Sequence, residues 1–327
     1  MSEVDIPLID VTALFGPAGA ARDEVDAAIM RAASGSGFMT VTARPELIPA
    51  TAAERARLLR VFGLPETQTR RLWRRKFAEE NPNVYRGWFP VQQDQPSFKR
   101  GIDMGPDIAG AVASGNDPLR EPTPLPPEDV LPGWRADAAS YYRAMERLGG
   151  VMMRAIARGL GLPGTQFDAA FVDGISTLRL IHYPVPQERP GTERRLLLGA
   201  AHVDSGFVTL LAQDGVEGLQ AQNAAGDWID VPPAEGALAV NFGAVLESWT
   251  GGRIRATRHR VMGPGRDRYS IPFFYEPAVD AVIAPLPGGA GFAPFSYGDH
   301  LWAKMTAFTE FQGLEGLRSP RGGVVAA

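Results

Sequence analysis

The first third of the chain combines two hydrophobic spacings, one typical of strands and one typical of helices. Residues 6–9 and 38–41 are short apolar runs, which predict strands. Residues 20–34 carry apolar side chains three or four positions apart, and Gly35 and Gly37 follow them. This spacing predicts a helix between the two strands.

The middle of the chain contains a connector and then the longest predicted helix. Residues 105–133 are rich in Pro and Gly, so neither a helix nor a central strand can run through them. In residues 134–160 the apolar positions again recur three or four apart. They are Trp134, Ala138, Tyr141, Met145, Leu148, Met152 and Ile156. Such a stripe is typical of core packing, and we expect this helix to support a sheet.

After Gly174 the pattern changes to short strand-like runs separated by turns. The predicted strands are residues 176–183, 196–202, 206–212, 219–222, 228–231, 237–241, 254–261 and 268–275. Many short strands without long intervening helices favour a jelly roll, also called a double-stranded β-helix. The predicted fold class is therefore mainly β with flanking helices.

A last helix is predicted over residues 296–311, with Leu301, Met305, Phe308 and Phe311 on one side. This helix could pack across the open face or the edge of the roll. The sequence thus divides into four parts. Residues 1–105 form an N-terminal α/β region, 106–175 a connector and supporting helix, 176–284 the jelly-roll core, and 285–327 a C-terminal helix and tail.

Composition narrows the functional classes. The net charge of −4 and the scattered Lys and Arg residues argue against a nucleic-acid partner. The basic stretch at residues 70–76 is interpreted as a solvated helix face with Trp73 turned inward. The N-terminus lacks a signal-peptide pattern, and no apolar segment is long enough to span a membrane. We expect a cytoplasmic protein that acts on a small molecule.

The 327 residues include no cysteine, so any metal ligands must be His, Asp or Glu. His202 and Asp204 are separated by one residue, and on a strand such positions share a face. A third ligand would complete a set of two His and one carboxylate, which leaves coordination positions open for oxygen chemistry. His259, in a strand-like run, is the obvious candidate, and His182 and His300 are interpreted as structural.

A second pair of residues has the same spacing. Arg268 and Ser270 would lie on one face of a strand and offer a guanidinium and a hydroxyl, which together could bind a carboxylate. Tyr183, at the end of another predicted strand, could add a phenolic hydrogen bond to the same anion. For Arg268 and Ser270 the simpler alternative is a salt bridge beside a small residue.

The order His202-x-Asp204, His259 and Arg268-x-Ser270 resembles the 2-oxoglutarate and iron(II) oxygenases of the isopenicillin N synthase-like superfamily. Residues 178–184, 218–220 and 236–243 are similar to strands of the family, and the resemblance covers most of the chain. It implies iron(II) bound by His202, Asp204 and His259. It also implies 2-oxoglutarate bound by Arg268, Ser270 and Tyr183, with dioxygen as the oxidant.

The expected reaction couples oxidative decarboxylation of 2-oxoglutarate to hydroxylation, desaturation or cyclisation of a small organic substrate. Two alternatives remain, an oxidase of the same superfamily that does without the keto acid and a jelly roll that binds a small acid without chemistry. Arg86, within the aromatic stretch 85–89, could anchor a substrate carboxylate at the pocket mouth. It could equally be a packed Arg stacked on Trp88. The sequence leaves the oligomeric state open.

Overall fold

The computed structural model describes residues 6–92, 98–113, 117–185, 196–263, 265–286, 291–308 and 310–320. Its strands are β1 Leu8–Asp10, β2 Phe38–Thr42, β3 Gly87–Phe89, β4 Arg100–Met104, β5 Thr177–Tyr183, β6 Leu196–His202, β7 Val208–Gln213, β8 Leu219–Gln222, β9 Trp228–Asp230, β10 Ala237–Phe242, β11 His259–Gly263, β12 Arg268–Tyr275, β13 Val282–Ile283 and β14 Phe295–Ser296. Its α-helices are α1 Ala20–Ser34, α2 Ala52–Leu59, α3 Glu66–Thr69, α4 Trp134–Gly159, α5 Ala244–Trp249 and α6 Tyr297–Thr306.

Two sheets form the body of the molecule. The large sheet has eight strands in the order β1-β2-β10-β7-β12-β5-β4-β3, and the small sheet has four in the order β6-β11-β8-β9. The central strands β5, β7, β10 and β12 of the large sheet alternate along the chain with strands of the small sheet. This arrangement confirms the predicted jelly-roll core, with helices outside it.

A compact apolar cluster lies between the two sheets. Ile181, Tyr183 and Ala239 enter it from the large sheet, and Leu198 and Val261 enter it from the small sheet. Because side chains alternate along a strand, the same inner face of β5 also carries the residues at positions 177 and 179. The interior between the sheets therefore continues from this cluster towards the opposite end of β5.

The helices cover the outer face of the large sheet. Helix α4 packs against β7 and β12, and α1 packs against α4 and β2. The apolar stripe predicted for α4 is confirmed, because all seven of its residues are buried. The prediction for α1 matches the helix at both ends.

The structure differs most from prediction before β11. A strand was predicted from residue 254, but β11 begins at His259. The backbone N–H groups of Ile254 and Ala256 bond to the Thr250 hydroxyl at 3.2 Å and to the Glu247 carboxylate at 3.0 Å. Since these donors are already used by side chains near α5, the segment cannot pair as a strand.

The N-terminal strands belong to the same sheet as the roll. Strand β2 pairs with β10, and β4 pairs with β5. The division of the chain into four parts stays a prediction. Within the described residues, no helix has both the length and the apolar character needed to cross a membrane.

Candidate active site

Three side chains converge where the small sheet meets the following turn. His202 is the last residue of β6 and His259 is the first of β11, and the two are paired in the antiparallel register. Asp204 was expected to share the strand with His202, but it lies in the turn just after β6 ends. One ligand atom from each of the three residues lies within 4.8 Å of the others, close enough to hold a metal ion.

Hydrogen bonds orient all three groups towards a common point. The Nδ1 atoms of His202 and His259 lie 2.8 Å from the Ala200 carbonyl oxygen and 3.1 Å from the Thr257 carbonyl oxygen. A carbonyl only accepts, so each Nδ1 must carry a proton, and each Nε2 then keeps a lone pair at neutral charge. These Nε2 atoms lie 3.5 and 3.7 Å from Asp204 Oδ1.

The second oxygen of Asp204 is held from the large sheet. Oδ2 accepts a hydrogen bond of 2.6 Å from the Thr209 hydroxyl and one of 2.7 Å from the Asn241 amide. This leaves Oδ1 to face the two imidazoles. The site is therefore anchored on both sheets, and its donor set is the one that suits iron(II) with open coordination positions.

The local charges keep the Asp204 carboxyl ionised. Burial alone would raise its pKa, but His259 and His202, with the bond from Thr209, outweigh that effect and hold the pKa well below its usual range. Burial lowers the pKa of His259 against the pull of Asp204. The carboxylate is therefore ready to bind a cation at neutral pH.

Arg268 lies fully buried at the start of β12. Its Nη2 donates to Gln213 Oε1 at 3.2 Å, while Nε and Nη1 find no hydrogen-bond partner within the described part of the chain. No acidic residue there forms an ion pair with it, so the salt-bridge alternative is not supported. A buried guanidinium with unsatisfied donors costs several kcal/mol unless an anion joins it, which fits a bound carboxylate.

The other residues of the predicted carboxylate site lie beside Arg268. Tyr183 is its register partner on β5, and the guanidinium carbon lies 5.4 Å from the centre of the Tyr183 ring. Ser270 is buried two positions further along β12, on the same face. Gln213 was not predicted, because its role depends on β7 and β12 being neighbours, which no local pattern reveals.

A cavity of about 300 Å³ opens beside the metal ligands. His202 and Asp204 line one side, and α6 covers another with Leu301 and Met305. The predicted packing of the last helix across the roll is confirmed there. The remaining lining residues are Tyr85, Gln92, Lys99, Thr177, Arg179, Gly199, Ala200, Val203, Ser205, Gly206, Phe207, Val208, Thr209, Phe274, Glu276, Phe308 and Glu310.

Arg86 lies away from this cavity. It is fully buried, and its Nη1 and Nη2 donate to the Thr177 hydroxyl at 2.7 Å and to the Ile175 carbonyl at 2.9 Å. Its guanidinium lies over the ring of Tyr85, 4.7 Å from the centre, where Trp88 was expected. The contacts favour the packing alternative over a substrate anchor at the pocket mouth.

The two other histidines that the sequence singled out lie outside the three-residue cluster. His182 Nε2 lies 3.1 Å from Asp267, and the ring stacks on Tyr269 at 4.4 Å. The ring of His300 packs 5.1 Å from that of Phe295. The basic stretch also differs from expectation, because Arg74 is buried against Asp103 rather than solvated.

Comparison with known proteins decides the family. The family model described as the 2OG-Fe(II) oxygenase superfamily matches residues 175–277. An isopenicillin N synthase of Streptomyces clavuligerus is 31% identical, covering 92% of this chain and 94% of that protein. The chain belongs to the 2-oxoglutarate and iron(II) oxygenases of the isopenicillin N synthase-like superfamily. The prediction from the sequence motifs is confirmed.

Other relatives of this oxygenase agree. The Emericella nidulans 2-oxoglutarate-Fe(II) type oxidoreductase hxnY is 29% identical, over 86% of this chain and 82% of that protein. A full-length Neurospora crassa structure in complex with alpha-KG superposes with a TM-score of 0.76 at 27% identity, covering 92% of this chain and 96% of that one. The oxygenase is a 2-oxoglutarate-dependent dioxygenase, and its cofactors are iron(II) and 2-oxoglutarate.

Proposed function

We propose that His202, Asp204 and His259 bind the iron(II) of this dioxygenase through Nε2, Oδ1 and Nε2. The two Nδ1–H groups fixed on carbonyl oxygens support this proposal, because they leave both Nε2 lone pairs directed at Asp204. Three protein ligands leave room for a bidentate keto acid and for dioxygen. Thr209 and Asn241 hold the carboxylate in place and so keep the coordination geometry fixed.

Arg268, with Ser270 and Tyr183, binds the distal carboxylate of 2-oxoglutarate in this proposal. The observation that carries it is the buried guanidinium whose Nε and Nη1 lack partners among the described residues. Nε and Nη1 can donate to a carboxylate, and such charge-assisted bonds are the strong ones. Gln213 holds the remaining nitrogen and thus fixes the plane of the guanidinium.

Iron(II) with 2-oxoglutarate supplies an oxidant that couples decarboxylation of the keto acid to oxidation of a substrate C–H bond. The chain binds the substrate in the cavity beside His202 and Asp204 and excludes bulk water with α6. We propose hydroxylation, desaturation or cyclisation of a small organic molecule. The similar Neurospora crassa protein has also been solved with alpha-KG and thymine, which fits a substrate of this size. A cytoplasmic location stays a prediction.

Anaerobic titration of 2-oxoglutarate into the iron(II)-loaded protein tests the two sites together. We expect a visible charge-transfer band in the wild type, and succinate formation once oxygen is admitted. His202→Ala should lose both the band and the succinate. Arg268→Lys should keep iron binding but weaken 2-oxoglutarate by about ten- to hundredfold, because an ammonium cannot replace the paired donors.

Two results would contradict the proposal. A wild type that binds iron but gives no band would favour the oxidase alternative, which takes all its electrons from the substrate. Unchanged succinate formation by His202→Ala would remove the metal assignment. Arg154→Lys is the matched control, since Arg154 pairs with Asp168 at the surface and should leave 2-oxoglutarate binding unchanged.

A further inference from the structure

The charged residues of the cavity wall are unequally satisfied. Lys99 and Glu310 pair with each other at 3.2 Å. Asp103, buried behind the wall, receives both Arg179 and Arg74. These five groups comprise three cations and two anions, so the wall carries one positive charge in excess beside the space for the substrate.

Arg179 presents an unused edge to the cavity. Its Nε and Nη2 donate to the two oxygens of Asp103 at 2.5 and 2.7 Å. Nη1 makes no hydrogen bond with any described residue, and the side chain lines the cavity. Asp103 therefore fixes the guanidinium with its Nη1/Nη2 edge open, which is the fork geometry that recognises a carboxylate.

Glu276 supplies the opposite chemistry at the same wall. It follows β12 and is buried, and Oε1 accepts a hydrogen bond of 3.0 Å from the Tyr297 hydroxyl. Oε2 lies 3.4 Å from the Thr177 hydroxyl, whose oxygen accepts from Arg86. Arg86 thus acts through Thr177 to position Glu276. Each carboxylate oxygen has a second lone pair with which it can accept from a ligand.

The two residues stand in one row on the inner face of the sheet. Thr177 pairs with Phe274, which places Arg179 and Glu276 on either side of that pair. The surrounding wall is apolar, with Phe207, Phe274, Leu301, Met305 and Phe308. An acceptor for N–H or O–H groups and a carboxylate-binding fork therefore border an apolar pocket of about 300 Å³.

We propose that Arg179 and Glu276 select the substrate class, which is a small amino acid or a derivative of one with an apolar side chain. Arg179 binds its carboxylate, Glu276 accepts from its amino or amide N–H group, and the apolar wall takes the side chain. This inference rests on the proposed function, since the pocket must lie beside the bound iron. It concerns residues distinct from the metal ligands and from the 2-oxoglutarate site.

Calorimetry with matched compounds tests the assignment. L-Phenylalanine, phenylpropanoate and phenethylamine share one apolar body and differ in the polar head. Each is titrated anaerobically into the full chain loaded with iron(II) and 2-oxoglutarate. We expect wild type to bind L-phenylalanine most tightly. Arg179→Gln should weaken the two carboxylates by about ten- to hundredfold and spare the amine, and Glu276→Gln should weaken L-phenylalanine and the amine and spare phenylpropanoate.

Controls separate recognition from structural roles. Arg154→Gln and Glu80→Gln remove exposed ion-paired residues of the same types and should change none of the three affinities. Arg179→Lys keeps a cation for Asp103 without the fork, so it should restore the thermal stability but not the full carboxylate affinity. A purely structural Arg179 would instead recover both in the Lys variant.

The outcomes also separate this inference from the proposed function. No binding of any of the three compounds to wild type, or equal losses for all three in both variants, would overturn the substrate class. The charge-transfer band with 2-oxoglutarate should persist in Arg179→Gln and Glu276→Gln, because neither residue touches the keto acid in our assignment. A missing band in wild type would instead count against the proposed function.

Discussion

At the scale of single residues, the bonds to Asp204 Oδ2 decide how well the metal site is preorganised. Thr209 and Asn241 both donate to that oxygen, from β7 and β10. Removing one donor leaves the carboxylate able to rotate and to use either oxygen. Partners of this kind commonly contribute ten- to hundredfold to metal affinity.

Asn241→Ala should therefore weaken iron(II) binding by about ten- to hundredfold while the three ligands stay in place. Anaerobic competition with a metal-binding dye measures the affinity directly. Asn223→Ala is the matched control, since Asn223 lies in a turn outside the site and bonds to Asp227. Equal affinities in the Asn241 variant and in wild type would show that Thr209 alone holds the carboxylate.

Glu276 makes the stability of the protein depend on pH. Burial raises its pKa from 4.5 to about 7, although Arg86, Tyr297, Thr177 and Arg179 all favour the ionised form. The unfolded chain loses this proton near pH 4.5 and the folded chain only near pH 7. The folded state therefore binds more protons between these values, and its stability falls as the pH rises through this window.

Relative to Glu276→Gln, wild type should lose roughly 3 kcal/mol of unfolding free energy between pH 4.5 and 8, from about 1.36 kcal/mol per pKa unit. Urea unfolding of both proteins across this range measures the difference. Parallel pH profiles would mean that the Glu276 carboxyl titrates normally in the folded protein.

At the scale of elements, periodicity predicted the long and the strongly patterned segments. Helices α1 and α4 and strand β12 follow their predicted bounds closely because one face of each is buried along its whole length. Strands β3 and β4 and helix α5 were not predicted. Two of these have at most five residues, and α5 has six, too few to establish a period.

The site was predictable only where its residues follow a motif. The i, i+2 spacing gave His202 with Asp204 and Arg268 with Ser270, and scarcity of histidine gave His259. Arg179 and Glu276 lie on strands that were predicted, but their shared wall depends on β5 pairing with β12. No local pattern shows which of many strands become neighbours, so their association needed the structure.

The loop between β10 and α5 supports the turn that carries Asp204. Ala244 N–H donates to the Asp204 carbonyl at 2.8 Å. A Cβ on Gly243 would collide with the backbone of Gly206. Backbone cannot give way as a flexible side chain can, so even a methyl group would displace this turn.

Gly243→Ala should thus lower the iron(II) affinity and destabilise the fold by about 1–3 kcal/mol. Metal titration and urea unfolding measure the two effects. Gly236→Ala makes a useful comparison because Gly236 has a φ of 68° but open space around its Cβ position. It should cost stability through strain without changing the metal affinity, and a lower affinity there would show that the affinity simply follows stability.

At the scale of the whole molecule, the metal site links the two sheets. His202 and His259 come from the small sheet, whereas the Asp204 carboxylate is tied to β7 and β10 of the large sheet. A bound ion must therefore hold the sheets together. Ligands that bind only the folded state stabilise it by about 2.7 kcal/mol at a hundredfold excess over Kd.

Thermal unfolding with Zn²⁺, a redox-inert substitute for iron, should show a rise in Tm of roughly 5 °C or more at that concentration. Chelation with EDTA should reverse the shift, and His259→Ala should abolish it. His182→Gln, which removes a histidine outside the cluster, should keep it. An equal shift in the His259 variant would place the zinc elsewhere on the protein.

The antiparallel pair β5 and β12 carries both proposed binding ends on one continuous surface. Tyr183, Arg268 and Ser270 stand at one end, and Arg179 and Glu276 stand towards the other. From Ser270 to Glu276 the strand advances about 20 Å at about 3.3 Å per residue. Mutations that alter substrate preference can therefore accumulate at one end without disturbing the keto acid, so descendants of this scaffold can change their chemistry while keeping the same fuel.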